Sequence, residues 1–549
     1  MNIKGHSSKL DESDIGIENM ILCLVYILMS LIVPNGSLPN ILLITVEDLG
    51  WNDVSWHNPA VIMPNIATLA GSGVRLNQAY AQPSGSSSQS ALLTGLYPSK
   101  TGTQFIPPNN MEPVGLYTDF KLMPEFLKPL GYTSHALGRW GLGYCSKKYL
   151  PTRRGFKSFY GTWNSGGDHQ THITPADPRS RYTTLGYDFH QDEDVYLGAI
   201  GSYTSDLIVD RVSDLISEHY QLEQGWFTGY PTGKVKIENV NETSPLFLYL
   251  DFESVKLPLQ VEEKFENMYP YEEDKARKTF LGMVSALDDS VGRIVNHLKR
   301  FSYDKDGKGT NLFDETVIIF TSTNGGLSEG PVYAGSSNKP LSGQKGDMLE
   351  GGCRVPTFIT NINTTGSIDS LFHITDWFPT IYIGMAGGLE KNIENIDGIN
   401  QIDVLKGHSE PLRSEILYDI VNFNDTLTTT SDWPDDFEMT GVFGAALRVN
   451  NYKIIVGCGT RTGCSRNYNN TWKGNIETTR TTLFNLNTDP EEKINLADSA
   501  EHNKMLSDLI SRLSHHVEKA VKPNHVPNSS SGLPIYSFPP GQFFTGWCD

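Results

Sequence analysis

The sequence predicts an α/β fold in which helices cover both faces of a sheet. Asn40–Val46 (NILLITV) is an almost unbroken apolar run, typical of a parallel strand that is buried on both faces. Pro64–Gly71 has the length and the closing glycine of a helix. Further predicted strands follow along the chain at Thr133–Gly138, Leu246–Leu250 and Thr316–Thr321.

Apolar residues at helical spacing predict one long amphipathic helix in the same part of the chain. They are Phe280, Leu281, Val284, Leu287, Val291, Ile294, Val295 and Leu298. After about Asp403 the predicted strands are shorter, at Tyr452–Val456 and Thr481–Leu486, and a single amphipathic helix spans 506–517. A smaller α+β subdomain, packed on the first domain and ending in an extended tail from Lys522, is the simplest interpretation.

We therefore divide the 549 residues into a leader and signal peptide (1–37), a larger domain (38–405) and a C-terminal subdomain (406–549). Met20–Val33 is an apolar run of signal-peptide length, too short for a stable membrane span. Its leader is acidic, although signal peptides favour basic residues there. A secretory signal is the favoured interpretation, and a signal anchor or a true start at Met20 is the alternative.

Composition narrows the compartment and the partners. A net charge of −19 without a basic patch argues against nucleic-acid binding. Glycosylation sequons agree with the secretory pathway, either extracellular or lysosomal, and occur at Asn35, Asn241, Asn363, Asn424, Asn469 and Asn528.

The cysteines outside the presumed signal are odd in number, so at least one thiol is left without a partner in this chain. These residues are Cys145, Cys353, Cys458, Cys464 and Cys548. Cys458 and Cys464 are close enough in sequence for a plausible local bridge.

The segment Ala81–Gly102 (AQPSGSSSQSALLTGLYPSKTG) is the most informative in the chain. Its frame resembles the signature of the sulfatase family, close to the arylsulfatase B (N-acetylgalactosamine-4-sulfatase) type. Ordered matches cover nearly the whole chain, including EDLGWNDVSWHNP from Glu47, GYTSHALGRWGLG from Gly131 and KGDMLEGGCRVP from Lys345. The resemblance implies an alkaline-phosphatase-like mixed sheet flanked by helices, a smaller C-terminal subdomain, and sulfuric ester hydrolysis.

The flanking residues of the signature are present, but the residues that sulfate-ester hydrolysis needs are replaced. The family places a cysteine, matured to formylglycine, six residues before the Ala-Leu-Leu, a position that holds Gly85 here. The proline and the arginine of the signature correspond to Ser87 and Gln89. A serine such as Ser86 could in principle substitute as nucleophile, but it would need a base or a metal to activate it.

The resemblance also implies a calcium site, formed by acidic residues after the first strand and by an Asp-Asn pair after a later one. These positions hold Glu47, Asp48, Thr323 and Asn324. At Thr323 a neutral hydroxyl replaces a carboxylate, Glu47 is one methylene longer than the family residue, and Gly85 lacks the formylglycine oxygen. Because calcium affinity depends on the number and charge of the ligands, we expect weak calcium binding or none. Glu47 and Asp48 could instead cap a turn.

Two histidine positions of the family are also changed. Its Lys-Trp-His motif corresponds to Arg139 and Gly141, and its second histidine corresponds to Lys256. A general acid with a suitable pKa is therefore not evident. His135 is nearby in sequence, but strand alternation favours a position inside the fold.

Positive charge survives at Lys345, which matches the sulfate-binding lysine of the family, and at Arg139 and Lys256. One hypothesis is that these three cations hold a sulfate, a sulfated sugar or another anion without cleaving it. The alternative is that they pair locally with Glu47, Asp48 or Asp347.

The favoured function is a catalytically inactive, exported and glycosylated sulfatase homologue that binds an anionic glycan or a protein partner. The alternatives are an active hydrolase of aryl or glycosaminoglycan sulfates that uses a nucleophile other than formylglycine, and a secreted glycoprotein that keeps only the fold. We expect His373 and Asp376, in the segment HITDW, to be structural.

Overall fold

The computed structural model describes residues 38–104, 110–164, 166–176, 184–220, 235–236, 244–305, 308–329, 333–422, 443–457, 481–524, 535–537, 541–544 and 548. Residues 39–549 form one compact unit. The predicted signal peptide, Cys458 and Cys464 lie outside the described residues. In the part of the chain that is described, no helix is both long enough and apolar enough to cross a bilayer.

Strands are numbered in chain order. They are β1 (Asn40–Val46), β2 (Val74–Leu76), β3 (Ala79–Tyr80), β4 (Thr133–Arg139), β5 (Ser158–Thr162), β6 (Ile173–Pro175), β7 (Leu185–Tyr187), β8 (His190–Gln191), β9 (Asp194–Val195), β10 (Val235–Lys236), β11 (Leu246–Phe252), β12 (Phe301–Lys305), β13 (Lys308–Asn311), β14 (Thr316–Ser322), β15 (Thr357–Thr360), β16 (Gly366–Ile368), β17 (Phe372–His373), β18 (Glu415–Asn422), β19 (Phe443–Val449), β20 (Tyr452–Gly457), β21 (Thr481–Asn485), β22 (Ile535–Ser537) and β23 (Gly541–Phe543).

The described helices of eight or more residues are numbered in the same way. They are α1 (Pro64–Gly71), α2 (Gly85–Thr94), α3 (Thr204–His219), α4 (Lys275–Arg300) and α5 (Asn503–Lys519). Shorter α-helices lie at Pro98–Thr101, Met123–Leu127, Glu263–Glu266, Glu350–Cys353, Trp377–Pro379 and Ile402–Leu405.

A ten-stranded mixed sheet dominates the fold, with the strand order β16-β2-β15-β14-β1-β11-β4-β5-β8-β9. Its five central strands, β14 to β5 in that order, are parallel. Every residue of β11 and β14 is buried, as expected for parallel strands covered on both faces. The predicted strands and helices are confirmed, and the ends differ by no more than a few residues.

Helices α3 and α4 cover one face of the sheet. Leu42 and Ile44 of β1 belong to the same buried cluster as Val212 of α3 and Leu287 of α4. The α4 helix extends beyond its predicted apolar stripe because Asp274 caps its N-terminus by accepting hydrogen bonds from two backbone N–H groups.

A second, antiparallel sheet has the order β18-β19-β20-β21. Helix α5 packs on it through Leu509 and Leu513, which share a buried cluster with Leu447 and Leu483. This is the smaller antiparallel-sheet domain at the C-terminus that the sequence predicts.

The described parts of the tail return to the larger domain. Strand β23 pairs in parallel with β7, and Cys548 forms a disulfide with Cys145. The remaining cysteine within the described residues, Cys353, is buried and free.

Buried charges join the antiparallel sheet to the larger domain. Lys453 Nζ in β20 lies 3.1 Å from Glu350 Oε1 and 2.7 Å from Glu492 Oε1, and the side chains of all three are 0% exposed. Tyr418 donates a hydrogen bond of 2.6 Å to Glu350. Burial raises the pKa of Glu492 to about 7, although Lys453 opposes the shift. Lys453 therefore neutralises carboxylates from both sides of this contact.

Replacing Lys453 by methionine should destabilise the protein by about 3–5 kcal/mol, because Glu350 and Glu492 would lose their buried counter-ion. Urea denaturation followed by tryptophan fluorescence measures the change. The matched control is Lys493→Met, at a side chain that is 68% exposed, which should shift the denaturation midpoint far less. Equal midpoints for the two variants would contradict this role of Lys453.

Candidate functional site

The site-residue candidates from the sequence meet at the carboxyl ends of the central parallel strands. Glu47 and Asp48 follow β1, Arg139 ends β4, and Asn324 follows β14. Asp48 has a φ of 65°, in the left-handed region, which interrupts the strand-like alternation of side chains just after β1. As a result, the consecutive carboxylates of Glu47 and Asp48 both contact Lys345.

Glu47 is the centre of this arrangement. Its Oε2 atom lies 3.2 Å from Arg139 Nε and 3.4 Å from Lys256 Nζ, and its Oε1 atom lies 3.0 Å from Lys345 Nζ. The residue is only 3% exposed. Burial alone would raise the pKa of Glu47, but the three surrounding cations hold it well below its ordinary value. Glu47 therefore remains ionised in the folded protein.

Lys345 bridges the two acidic residues. Its Nζ atom lies 2.6 Å from Asp48 Oδ1, and the amide nitrogen of Asn324 donates a 2.8 Å hydrogen bond to the same oxygen. Burial alone would lower the pKa of Lys345, but Asp48 and Glu47 raise it above its ordinary value. Lys345 is thus held as an ammonium group between two carboxylates.

The other two cations also have further carboxylate partners. Lys256 donates a hydrogen bond to Glu253, which in turn accepts one of 3.1 Å from Thr162. Arg139 Nε lies 3.7 Å from Asp251 Oδ2. Burial raises the pKa of Asp251 to about 7, with Arg139 opposing the shift. The three cations of the site therefore face four carboxyl groups, and the site as a whole is not cationic.

Asp251 and Glu253 are not among the site residues predicted from the sequence. Both lie at the carboxyl end of β11, beside a predicted strand, so the rule that locates Glu47 and Arg139 could also have found them. Neither residue corresponds to a family position named above.

Gly85 begins helix α2, and the space above it is filled by Glu47. A Cβ atom at this position would lie 2.8 Å from Glu47 Oε1 and 3.0 Å from Arg139 Nη2. The side chain that would extend from this position in a nucleophile-bearing relative would therefore meet a buried ion pair. Ser86 lies next to it and accepts a 3.3 Å hydrogen bond from Arg139, which cannot serve as a base.

Neighbouring side chains also fill the space next to Gly141, which corresponds to a histidine of the family. Its φ is +65°, and a Cβ atom there would lie 2.5 Å from Gln89 Oε1 and 3.0 Å from Arg139 Cζ. Gln89 accepts a 3.2 Å hydrogen bond from Arg139 and also donates one to Asp251. Gln89 and Arg139 therefore use the space that a histidine side chain would need.

His135 and His373 lie outside this cluster. His135 lies four residues before Arg139 on β4, about 13 Å along an extended strand, and it contacts Ser158 Oγ. His373 and Asp376 are structural, as expected: both are fully buried at a helix start, and Asp376 accepts a 2.8 Å hydrogen bond from Arg413.

The arrangement does not fit a divalent metal ion. Lys345 Nζ lies against the oxygens of Glu47 and Asp48, and Asn324 turns its amide nitrogen towards Asp48. Asp48 Oδ2 has no hydrogen-bond partner, but one free oxygen is not a ligand set. Among the described residues, no group of three or more His, Cys, Asp or Glu side chains has the geometry of a metal site.

Gly85→Ala should destabilise the protein by about 1–3 kcal/mol, because the new methyl group would press on the ion-paired Glu47 and Arg139. Gly71→Ala is the matched control, since nothing lies within 4 Å of a Cβ atom there and alanine favours the helix. Thermal unfolding of both variants measures the difference. A Gly85→Ala variant as stable as the wild type would show that Glu47 does not fill this space.

Comparison with known proteins identifies the family of the chain. The family model named Sulfatase matches residues 39–387. The chain is 29% identical over 519 residues to arylsulfatase J of Mus musculus, covering 91% of this chain and 79% of that protein. It is 27% identical over 381 residues to N-acetylgalactosamine-6-sulfatase of Homo sapiens, covering 67% of this chain and 66% of that protein.

Solved structures agree with the fold. Ps i-CgsB in complex with k-i-k-neocarrahexaose superposes with a TM-score of 0.68 and 25% identity, covering 90% of this chain and 96% of that one. BT4656 with its substrate D-glucosamine-2-N, 6-O-disulfate is similar in fold alone, with a TM-score of 0.55 and 14% identity, covering 88% of this chain and 98% of that one. The extent of the family match, together with the ordered motifs around the cluster, shows that the chain belongs to the sulfatase family.

Proposed function

We propose that this sulfatase-family chain does not hydrolyse sulfate esters. The observation that carries the proposal is the position of Glu47, whose carboxylate lies over Gly85 and is paired with Arg139, Lys256 and Lys345. In this arrangement the region above Gly85 is filled by an internal ion-pair cluster, so a sulfate ester has no open place at the start of α2.

The chemistry of the remaining residues supports the same conclusion. Gly85 has no side chain from which an activated oxygen could be made. Proton transfer to a leaving group needs an acid whose pKa is near the working pH. At the two matched histidine positions, Gly141 has no titratable group and Lys256 is held between Glu47 and Glu253.

The alternative is a hydrolase that uses another nucleophile, with Ser86 as the nearest candidate. Its hydroxyl oxygen accepts hydrogen bonds from Arg139, whose guanidinium stays protonated and cannot remove a proton. We therefore rank this alternative below the inactive protein.

Purified protein should show no turnover of a chromogenic aryl sulfate, with or without added calcium, because the site lacks both the nucleophile and the acid. The positive control is an active arylsulfatase assayed in the same buffers. Turnover at a rate comparable to the control, and lost in a Ser86→Ala variant, would establish the alternative instead.

Binding of a sulfated sugar is a second candidate, and the position of Lys345 favours it. Its side chain is 19% exposed, whereas those of Arg139 and Lys256 are 2% and 7% exposed. A sulfate group at this mouth would compete with Asp48 for the ammonium. The substrate of the fold neighbour BT4656 is a sulfated sugar, which suggests this ligand class for a test.

Retention on a chondroitin sulfate column, eluted with a salt gradient, tests this second candidate. Lys345→Gln should elute earlier than the wild type, because it removes the most accessible of the three cations of the site. Lys493→Gln, which removes an exposed lysine elsewhere, is the charge-matched control and should change retention less. Identical retention of the two variants would reject the site.

We also propose that the protein enters the secretory pathway and works in an extracellular or lysosomal compartment. The Cys145–Cys548 disulfide fits an oxidising environment. Asn363, the sequon asparagine within the described residues, is exposed and therefore accessible for glycosylation.

A further inference from the structure

We propose that the side-chain ammonium of Lys345, supported by Lys256 and Arg139, has replaced the divalent cation at this site, so that the fold is complete without metal. This inference rests on the proposed function, because it concerns the same site. It adds that the acidic residues after β1 now have an internal counter-ion. It predicts that calcium neither binds to the protein nor raises its melting temperature, which an activity assay does not measure.

The first support is the position of the ammonium group. Lys345 Nζ is 3.0 Å from Glu47 Oε1 and 2.6 Å from Asp48 Oδ1, so it bridges the two consecutive carboxylates. Calcium in proteins needs six to eight oxygen ligands at about 2.3–2.6 Å. A calcium ion close enough to bind these two oxygens would lie next to a fixed positive charge.

The second support is the orientation of Asn324. Its Nδ2 atom donates 2.8 Å hydrogen bonds to Asp48 Oδ1 and to the carbonyl oxygen of Gly325. Its Oδ1 atom accepts one of 3.1 Å from Thr323. Reversing the amide to offer its oxygen to a metal would place that oxygen against two other oxygens. The network therefore holds Asn324 as a donor rather than as a metal ligand.

The third support is the balance of charge. Glu47 is already paired with Arg139 and Lys256 in addition to Lys345. A divalent cation would add two positive charges to a buried cluster whose carboxylates already have partners. The repulsion from three nearby cations would offset the attraction of the carboxylates for the metal in this region of low dielectric constant. Protein cations thus supply the neutralisation that a bound metal would otherwise give.

Two measurements on the purified full chain test this inference. Thermal unfolding in excess EDTA and in excess calcium chloride should give melting temperatures within about 1 °C of each other. Titration calorimetry with calcium chloride should show no binding heat. A calcium-dependent rise in melting temperature of about 2 °C or more in the wild type, or a saturable binding heat, would overturn the inference.

The variant Lys345→Ala gives the converse test. It removes the ammonium that bridges Glu47 and Asp48, so less positive charge opposes a calcium ion beside these carboxylates, and calcium should now raise the melting temperature more than in the wild type. Lys493→Ala, at an exposed site away from the cluster, should behave as the wild type. A folded Lys345→Ala variant without a calcium response would overturn the role of Lys345. If that variant does not fold, the wild-type measurements still decide the inference.

Failure of this inference is distinguishable from failure of the proposed function. If the wild type binds calcium but shows no turnover, the proposed internal counter-ion is wrong and the proposed lack of hydrolysis stands. If the wild type hydrolyses aryl sulfates but does not respond to calcium, the proposed lack of hydrolysis is wrong and the internal counter-ion stands.

Discussion

A buried carboxylate must be neutralised, and the neutralisation of Glu47 is the constraint on which the rest of the site depends. Its three cationic partners come from β4, from the segment after β11, and from the loop that contains Lys345. The side chain thus ties together chain segments that are far apart in sequence. The charged side chains of this site are paired with one another, whereas a working hydrolase needs groups that are free to act on a substrate.

The substitutions at the site fit one another sterically, because the glycines leave space that other substituted side chains fill. Glycine at position 85 leaves room for the longer carboxylate at position 47, and glycine at position 141 leaves room for Gln89 and Arg139. Gln89 in turn links Arg139 to Asp251. A side chain restored alone at position 85 or 141 would therefore clash with its neighbours. The paired side chains hold several segments at the carboxyl edge of the sheet together, which gives a physical reason for the proposed absence of sulfate-ester hydrolysis.

Much of this could be predicted from the sequence. The apolar runs that become β1, β4, β11 and β14 locate the sheet, and the polar residues at their carboxyl ends locate the site. Pairing partners are harder to predict, because the same lysines and arginine could face either a ligand or local carboxylates. The Cys145–Cys548 disulfide joins residues 403 positions apart, and the contact of Lys453 with Glu350 depends on how two sheets meet. Neither leaves a local pattern in the sequence.

A double-mutant cycle between positions 47 and 85 tests the central claim most directly. Unfolding free energies would be measured for the wild type, Gly85→Ala, Glu47→Asp and the double variant. If Glu47 fills the space above Gly85, the shorter aspartate should relieve the clash, and the added methyl group should cost about 1 kcal/mol less in that background. Additive costs, within the error of about 0.3–0.5 kcal/mol, would contradict the claim.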